Sequence, residues 1–88
     1  MKAPDQTLRC LIVEDEEDDA LLLVRHLRGG GYDLAWERVD TSELMRAALE
    51  RQPWDLVLSD FRLPNFGGLA ALELLQASGY DLPFIIVS

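Results

Sequence analysis

The chain has 88 residues, of which 49% are hydrophobic and 27% charged, and its formal net charge at pH 7 is −8. This length allows one small domain, and the composition is that of a folded globular protein and not of a disordered segment. The charge argues against nucleic-acid binding by this segment, because phosphate contacts need clustered lysine and arginine, and no stretch has the roughly 20 apolar residues of a membrane-spanning helix.

The amino-terminal half predicts a strand and then a helix. Residues 1–7 are polar and predict a flexible leader, and residues 8–13 form the first apolar strand. A helix is predicted over 18–28, with Asp18 or Asp19 at its amino-terminal cap, and three consecutive glycines end it. The lone cysteine enters the first strand and predicts a buried hydrophobic residue. Without a disulfide partner or a signal-peptide pattern, the chain is expected in the cytoplasm.

The next segments repeat the alternation of strand and helix. Residues 34–39 predict a second strand, and Asp40 is predicted to cap a helix, with Glu43 completing a capping box. The apolar residues expected to face inward from this helix are Leu44, Ala48 and Leu49.

A third strand, a helix and a fourth strand are predicted in the remaining sequence. Residues 54–59 lead into the third strand, a loop rich in glycine follows over 60–68, residues 69–77 are helical and residues 84–87 form a fourth apolar run. The order βαβαβαβ with short loops predicts an α/β fold, a doubly wound parallel sheet with right-handed crossovers.

Acidic residues stand where two of these apolar strands end. Glu14 and Asp15 follow the first strand, and Asp60 follows the third. Ligands of open α/β sheets bind at the carboxyl ends of the strands, so these carboxylates converge if the two strands are neighbours. Crowded carboxylates repel one another, and a bound divalent cation or a raised pKa relieves this repulsion. The pattern favours a Mg²⁺ site with a carboxylate available for chemistry.

Three ordered motifs resemble the receiver domains of response regulators in two-component signalling. They are the acidic end of the first strand, Leu11 to Glu16, the loop from Asp60 to Gly68 with Pro64 four residues after the aspartate, and the apolar strand that ends in Ser88. Together they span nearly the whole chain. The resemblance implies a flavodoxin-like sheet with strand order 2-1-3-4.

The resemblance also implies roles for individual residues. Asp60 would accept a phosphoryl group from a sensor histidine kinase or a phosphotransfer protein, and Ser88 would bind a phosphoryl oxygen as the switch hydroxyl. Asp15, Asp60 and the backbone carbonyl of Arg62 would hold Mg²⁺, and Glu14 would act through a water. The chain would then be a signalling phosphoacceptor that assists its own phosphorylation and dephosphorylation, and not an enzyme with a free product. The sequence has Gly67 where the family usually has a polar residue.

The family's domain extends beyond the position of Ser88 with a helix, a fifth strand ending in a lysine, and a last helix. The domain over 8–88 is therefore expected to be incomplete at its carboxyl end, and the lysine has no counterpart here. Either the residues belong to a longer receiver, or two copies pair through an exposed sheet edge as a homodimer.

Two other functions remain as alternatives. The first is a docking or dimerisation module on the same fold that does not use phosphorylation. The other alternative, which ranks behind both the receiver and the docking module, is a Mg²⁺-dependent phosphatase with an aspartate nucleophile. That class usually carries a second aspartate two residues after the nucleophile, where this sequence has Arg62.

Overall fold

The computed structural model describes residues 7–31, 33–60 and 68–87, with the side chains of Asp60 and Gly68 left out. The predicted leader, except Thr7, lies outside the described residues, and so do the loop residues 61–67 and Ser88. The elements in chain order are β1 (Leu8–Val13), α1 (Glu17–Gly29), β2 (Leu34–Val39), α2 (Ser42–Arg51), β3 (Leu56–Asp60), α3 (Gly68–Ala77) and β4 (Phe84–Val87). In this described part of the chain, no helix is both long enough and apolar enough to cross a membrane.

The strands form one parallel sheet with the order β2-β1-β3-β4. This confirms the predicted flavodoxin-like order 2-1-3-4. The first strand lies inside the sheet, between β2 and β3, and its last four residues are buried. Strands covered on both faces need continuous apolar runs, which explains why Leu11-Ile12-Val13 shows no polar alternation.

The side chains of the sheet divide between two apolar clusters, one on each face. Leu11 and Val13 of β1 point to the face that α2 and α3 cover, whereas Cys10 and Ile12 point to the face that α1 covers. The α2/α3 cluster contains Leu11, Val13, Val39, Met45, Ala48, Leu49, Trp54, Val57, Ala71 and Leu75. The α1 cluster contains Cys10, Ile12, Ala20, Val24, Leu34 and Leu58.

The first helix begins one residue earlier than predicted and is not capped by an aspartate. Glu16 occupies the cap position with extended backbone and makes no side-chain hydrogen bond to the helix, so Asp18 and Asp19 lie inside the first turn. There their negative charges still stabilise the helix by opposing its dipole. The helix stops where Gly31 takes a φ of 94°, a conformation that favours glycine.

Two predictions about α2 are wrong. Its cap is Thr41, whose hydroxyl accepts a hydrogen bond from the Leu44 amide at 3.1 Å, and not Asp40 in a capping box with Glu43. Leu44, predicted to face inward, is 51% exposed, and Met45 is buried in its place. The other two predicted inward residues, Ala48 and Leu49, are buried.

Candidate functional site

The carboxyl ends of the strands are aligned by the register of the sheet. Val13 lies opposite Val39 of β2 and opposite Ser59 of β3. The residues that come directly after these three are Glu14, Asp40 and Asp60. We call these three residues the acidic row. Since adjacent strands lie about 4.8 Å apart, the fold carries the backbones of three acidic residues side by side.

Glu14 is buried, and hydrogen bonds of its backbone and its side chain hold it in place. It is 3% exposed, and its amide N–H donates to the carbonyl oxygen of Val39 at 3.0 Å. Its carboxylate Oε1 accepts a hydrogen bond from the Glu16 amide at 3.1 Å, which closes the turn that leads into α1. The next residue, Asp15, is exposed. The structure thus places a buried carboxylate and an accessible one at the end of β1.

A positively charged side chain, that of Arg38, also lies at this edge of the sheet. The Nη1 atom of Arg38, near the end of β2, is 3.2 Å from the backbone carbonyl oxygen of Glu14 and 3.5 Å from that of Asp15. The same atom is 3.8 Å from Oδ2 of Asp40. The guanidinium therefore links Asp40, which follows β2, to the turn after β1. Neither Arg38 nor Asp40 was among the predicted site residues, because the contacts of Arg38 with the turn after β1 depend on the pairing of β1 with β2.

The donor set fits a hard divalent cation. Carboxylate and carbonyl oxygens are the ligands that Mg²⁺ prefers, and Asp15 offers an accessible carboxylate at the end of β1. Among the described side chains, no group of three or more histidine, cysteine, aspartate or glutamate residues is close enough to hold a metal by itself. A complete ligand set must therefore draw on further groups, and Asp60 stands at the adjacent strand end.

Asp60 is the last residue of β3, one residue beyond the predicted end of the strand, and it pairs in register with Val87 of β4. The predicted roles of the Arg62 carbonyl and of the Ser88 hydroxyl fall outside the described residues. The fold thus brings Glu14, Asp15 and the backbone of Asp60 to one edge of the sheet.

The fold is a parallel α/β domain with an acidic edge at the carboxyl ends of its strands, and comparison with known proteins names the class. The chain belongs to the response regulator receiver domain family, whose model matches residues 10–88. These receivers are the signalling domains of two-component systems. The chain is 34% identical over 80 residues to the transcriptional regulatory protein PrrA of Mycobacterium tuberculosis, a match that covers 91% of this chain and 34% of PrrA.

Solved receiver structures agree with this assignment. The receiver domain of the sensor histidine kinase PA1611 from Pseudomonas aeruginosa, which has a magnesium ion in its active-site cleft, is 27% identical with a TM-score of 0.75. The match covers 94% of this chain and 68% of that one. The beryllofluoride-activated NtrC receiver domain is 30% identical with a TM-score of 0.73, covering 94% of this chain and 65% of that one. The chain spans about a third of the length of PrrA, at 34%.

Proposed function

We propose that this chain is a phosphoacceptor that takes a phosphoryl group onto Asp60 in a Mg²⁺-dependent reaction. The observation that carries the proposal is the register of β1 and β3, which sets Asp60 beside Glu14 and Asp15 in a chain of the receiver family. The donor is the phosphohistidine of a sensor histidine kinase or of a phosphotransfer protein. The domain is the segment 8–88, and it works in the cytoplasm.

The reaction begins with a carboxylate oxygen of Asp60 attacking the phosphorus atom. An O–P bond forms on Asp60 while the N–P bond of the phosphohistidine breaks, and the electron pair returns to the imidazole. Asp60 and the phosphoryl group are both anionic, so repulsion opposes this attack. Mg²⁺ would supply the charge neutralisation and the in-line alignment that phosphoryl transfer needs.

The residues that would hold Mg²⁺ are the carboxylates of Asp15 and Asp60 and the carbonyl of Arg62. The buried Glu14 carboxylate would act through a water. Once Asp60 is phosphorylated, the Ser88 hydroxyl would bind a phosphoryl oxygen, and this new contact would change the conformation of the domain. The same groups would assist the later hydrolysis, so the chain would set the lifetime of its own signal.

The proposal is tested by intact mass after incubation with a small-molecule phosphodonor, with and without Mg²⁺. We expect a Mg²⁺-dependent gain of one phosphoryl group in the wild-type chain and none in Asp60→Asn. Asp33→Asn is the matched control, because Asp33 lies before β2 at the opposite edge of the sheet, where it binds the Thr7 hydroxyl. Equal phosphoryl labelling of Asp60→Asn and of the control would show that Asp60 is not the phosphoacceptor.

A second candidate function, docking or dimerisation without phosphorylation, is favoured by one observation. The strand β4 is the last in the order of the sheet, and two of its apolar side chains are exposed, Ile85 to 49% and Ile86 to 40% of their surface. Strands at a sheet edge pair readily with other chains when they carry exposed apolar side chains. Size-exclusion chromatography with light scattering tests the homodimer, and a monomer at all concentrations contradicts it. Partner binding that survives Asp60→Ala would favour this candidate over the phosphoacceptor.

A further inference from the structure

We propose that Arg38 is a positioning residue of the phosphoacceptor site, which orients the turn that presents Glu14 and Asp15 to Mg²⁺. This inference rests on the proposed function. Arg38 makes no assigned contact with the metal or with the phosphoryl group. It acts through the backbone of the residues that would hold the ion.

Two consecutive residues of β2 fix both backbone polar groups of Glu14. The carbonyl oxygen of Val39 accepts the Glu14 N–H at 3.0 Å, and Nη1 of Arg38 donates to the Glu14 carbonyl oxygen at 3.2 Å. The peptide unit that joins Glu14 to Asp15 is thereby held at one end by a charge-assisted hydrogen bond. Rotation of that peptide would redirect the Asp15 side chain, so this bond sets where the accessible carboxylate points.

The fold places Arg38 so that its side chain can reach this turn. Arg38 pairs in register with Ile12, two residues before Glu14, and its side chain is 31% exposed. The ion pair with Asp40, at 3.8 Å, engages the same Nη1 atom. Partial burial and three oxygen neighbours restrict the guanidinium more than a solvent-exposed arginine would be restricted.

Two effects of Arg38 on Mg²⁺ binding oppose each other. The positive charge repels a cation, so its removal alone would tighten binding. The hydrogen bonds to the two carbonyl oxygens pre-organise the ligands, so their removal weakens binding. Groups that orient metal ligands commonly change affinity by about 10-fold to 100-fold, whereas charges at a partly exposed surface are screened by water and salt. We therefore expect the positioning effect to exceed the repulsion.

The test is the Mg²⁺ dissociation constant, measured by isothermal titration calorimetry on the full chain at constant ionic strength. We expect Arg38→Met to bind Mg²⁺ about tenfold more weakly than the wild type. Arg38→Lys should bind more tightly than Arg38→Met, because an ammonium group can still donate to the Glu14 carbonyl. Arg51→Met is the matched control, since Arg51 forms an ion pair with Glu37 of the same strand and its loss changes the net charge equally.

The outcomes separate this inference from the proposed function. If Arg38→Met binds Mg²⁺ as tightly as Arg51→Met, or more tightly, Arg38 has no positioning role while the metal site itself stands. If the wild-type chain does not bind Mg²⁺, the metal-dependent function and this inference both fail. Far-UV circular dichroism verifies that each variant is folded, and Arg38→Gln replaces Arg38→Met in the comparison if the methionine variant does not fold.

Discussion

Cys10 shows how strongly burial controls a single side chain in this domain. It is fully buried in the α1 cluster, and desolvation raises the pKa of its thiol from 9.0 to about 12, with a hydrogen bond to the backbone of Leu58 acting in the opposite direction. A thiol in this environment stays protonated at physiological pH and is a poor nucleophile. The structure thus confirms the interpretation of Cys10 as a buried hydrophobic residue.

The raised pKa predicts a loss of stability in alkali. Below pH 9 the thiol is protonated in both the folded and the unfolded chain, so it adds no pH dependence. Between pH 9 and about 12 the unfolded chain releases the proton and the folded chain keeps it. Urea unfolding should therefore show the free energy of unfolding falling above pH 9, by up to about 1.4 kcal/mol per pH unit from this group.

Cys10→Ala isolates this contribution from the other groups that titrate in alkali. The variant should be less stable than the wild type at pH 7, because a buried side chain is shortened. Its stability should nevertheless fall less steeply above pH 9. Parallel curves for the two proteins would show that the thiol ionises equally well in the folded chain.

The rotation of α2 about its axis decides which of its apolar residues belong to the core. Leu44 and Met45 are adjacent in sequence, but only Met45 is fully buried. We expect Met45→Ala to lower the free energy of unfolding by about 2–5 kcal/mol, because it leaves a cavity under the helix. Leu44→Ala should change it by no more than about 0.5 kcal/mol.

Chemical denaturation of these two variants checks the orientation of the helix directly. A loss in Leu44→Ala alone would mean that α2 packs with the rotation that the sequence predicted, with Leu44 inward. Equal losses in the two variants would mean that both side chains contribute to the core, which contradicts the exposure of Leu44.

The sequence predicted the elements themselves because each is specified locally. The apolar run of β1 and the glycines after α1 are visible without knowledge of the fold. The rotation of α2 could not be predicted in the same way, because Leu44, Met45, Ala48 and Leu49 allow two overlapping apolar stripes. The cap was equally ambiguous, since Asp40 and Thr41 are both good cap residues and the choice depends on where β2 ends.

At the scale of the molecule, the two apolar clusters share one sheet and each contacts a tryptophan. Trp54 is buried in the α2/α3 cluster, and its Nε1 donates to the Ala48 carbonyl oxygen at 2.9 Å. Trp36 packs against the α1 cluster on the other face. Because each strand contributes side chains to both faces of the sheet, we expect the α1 cluster and the α2/α3 cluster to unfold together.

The single-tryptophan variants Trp36→Phe and Trp54→Phe test this cooperativity. In each variant the urea transition followed by fluorescence should coincide with the one followed by far-UV circular dichroism. The two variants can differ in midpoint, because each substitution changes stability. A fluorescence transition that precedes the loss of secondary structure in one variant would show that the cluster around its remaining tryptophan unfolds separately.

The acidic edge was predictable from the sequence, whereas the contact that orders it was not. Glu14, Asp15 and Asp60 each follow an apolar run, so parallel strands were enough to bring them to one edge. Arg38 reaches the turn after β1 only because β2 lies beside β1 in a particular register. No local pattern in the sequence specifies the register in which β1 and β2 pair.

The shared register also sets where this chain can change in length. Side chains alternate between the faces of a strand, so one residue inserted within β1 or β3 would turn Glu14 or Asp60 to the opposite face. The connections over 52–55 and 78–83 enter their strands from the other end of the sheet. An insertion there would leave the acidic row in place. Relatives that differ in length are therefore expected to differ at the edge away from the site.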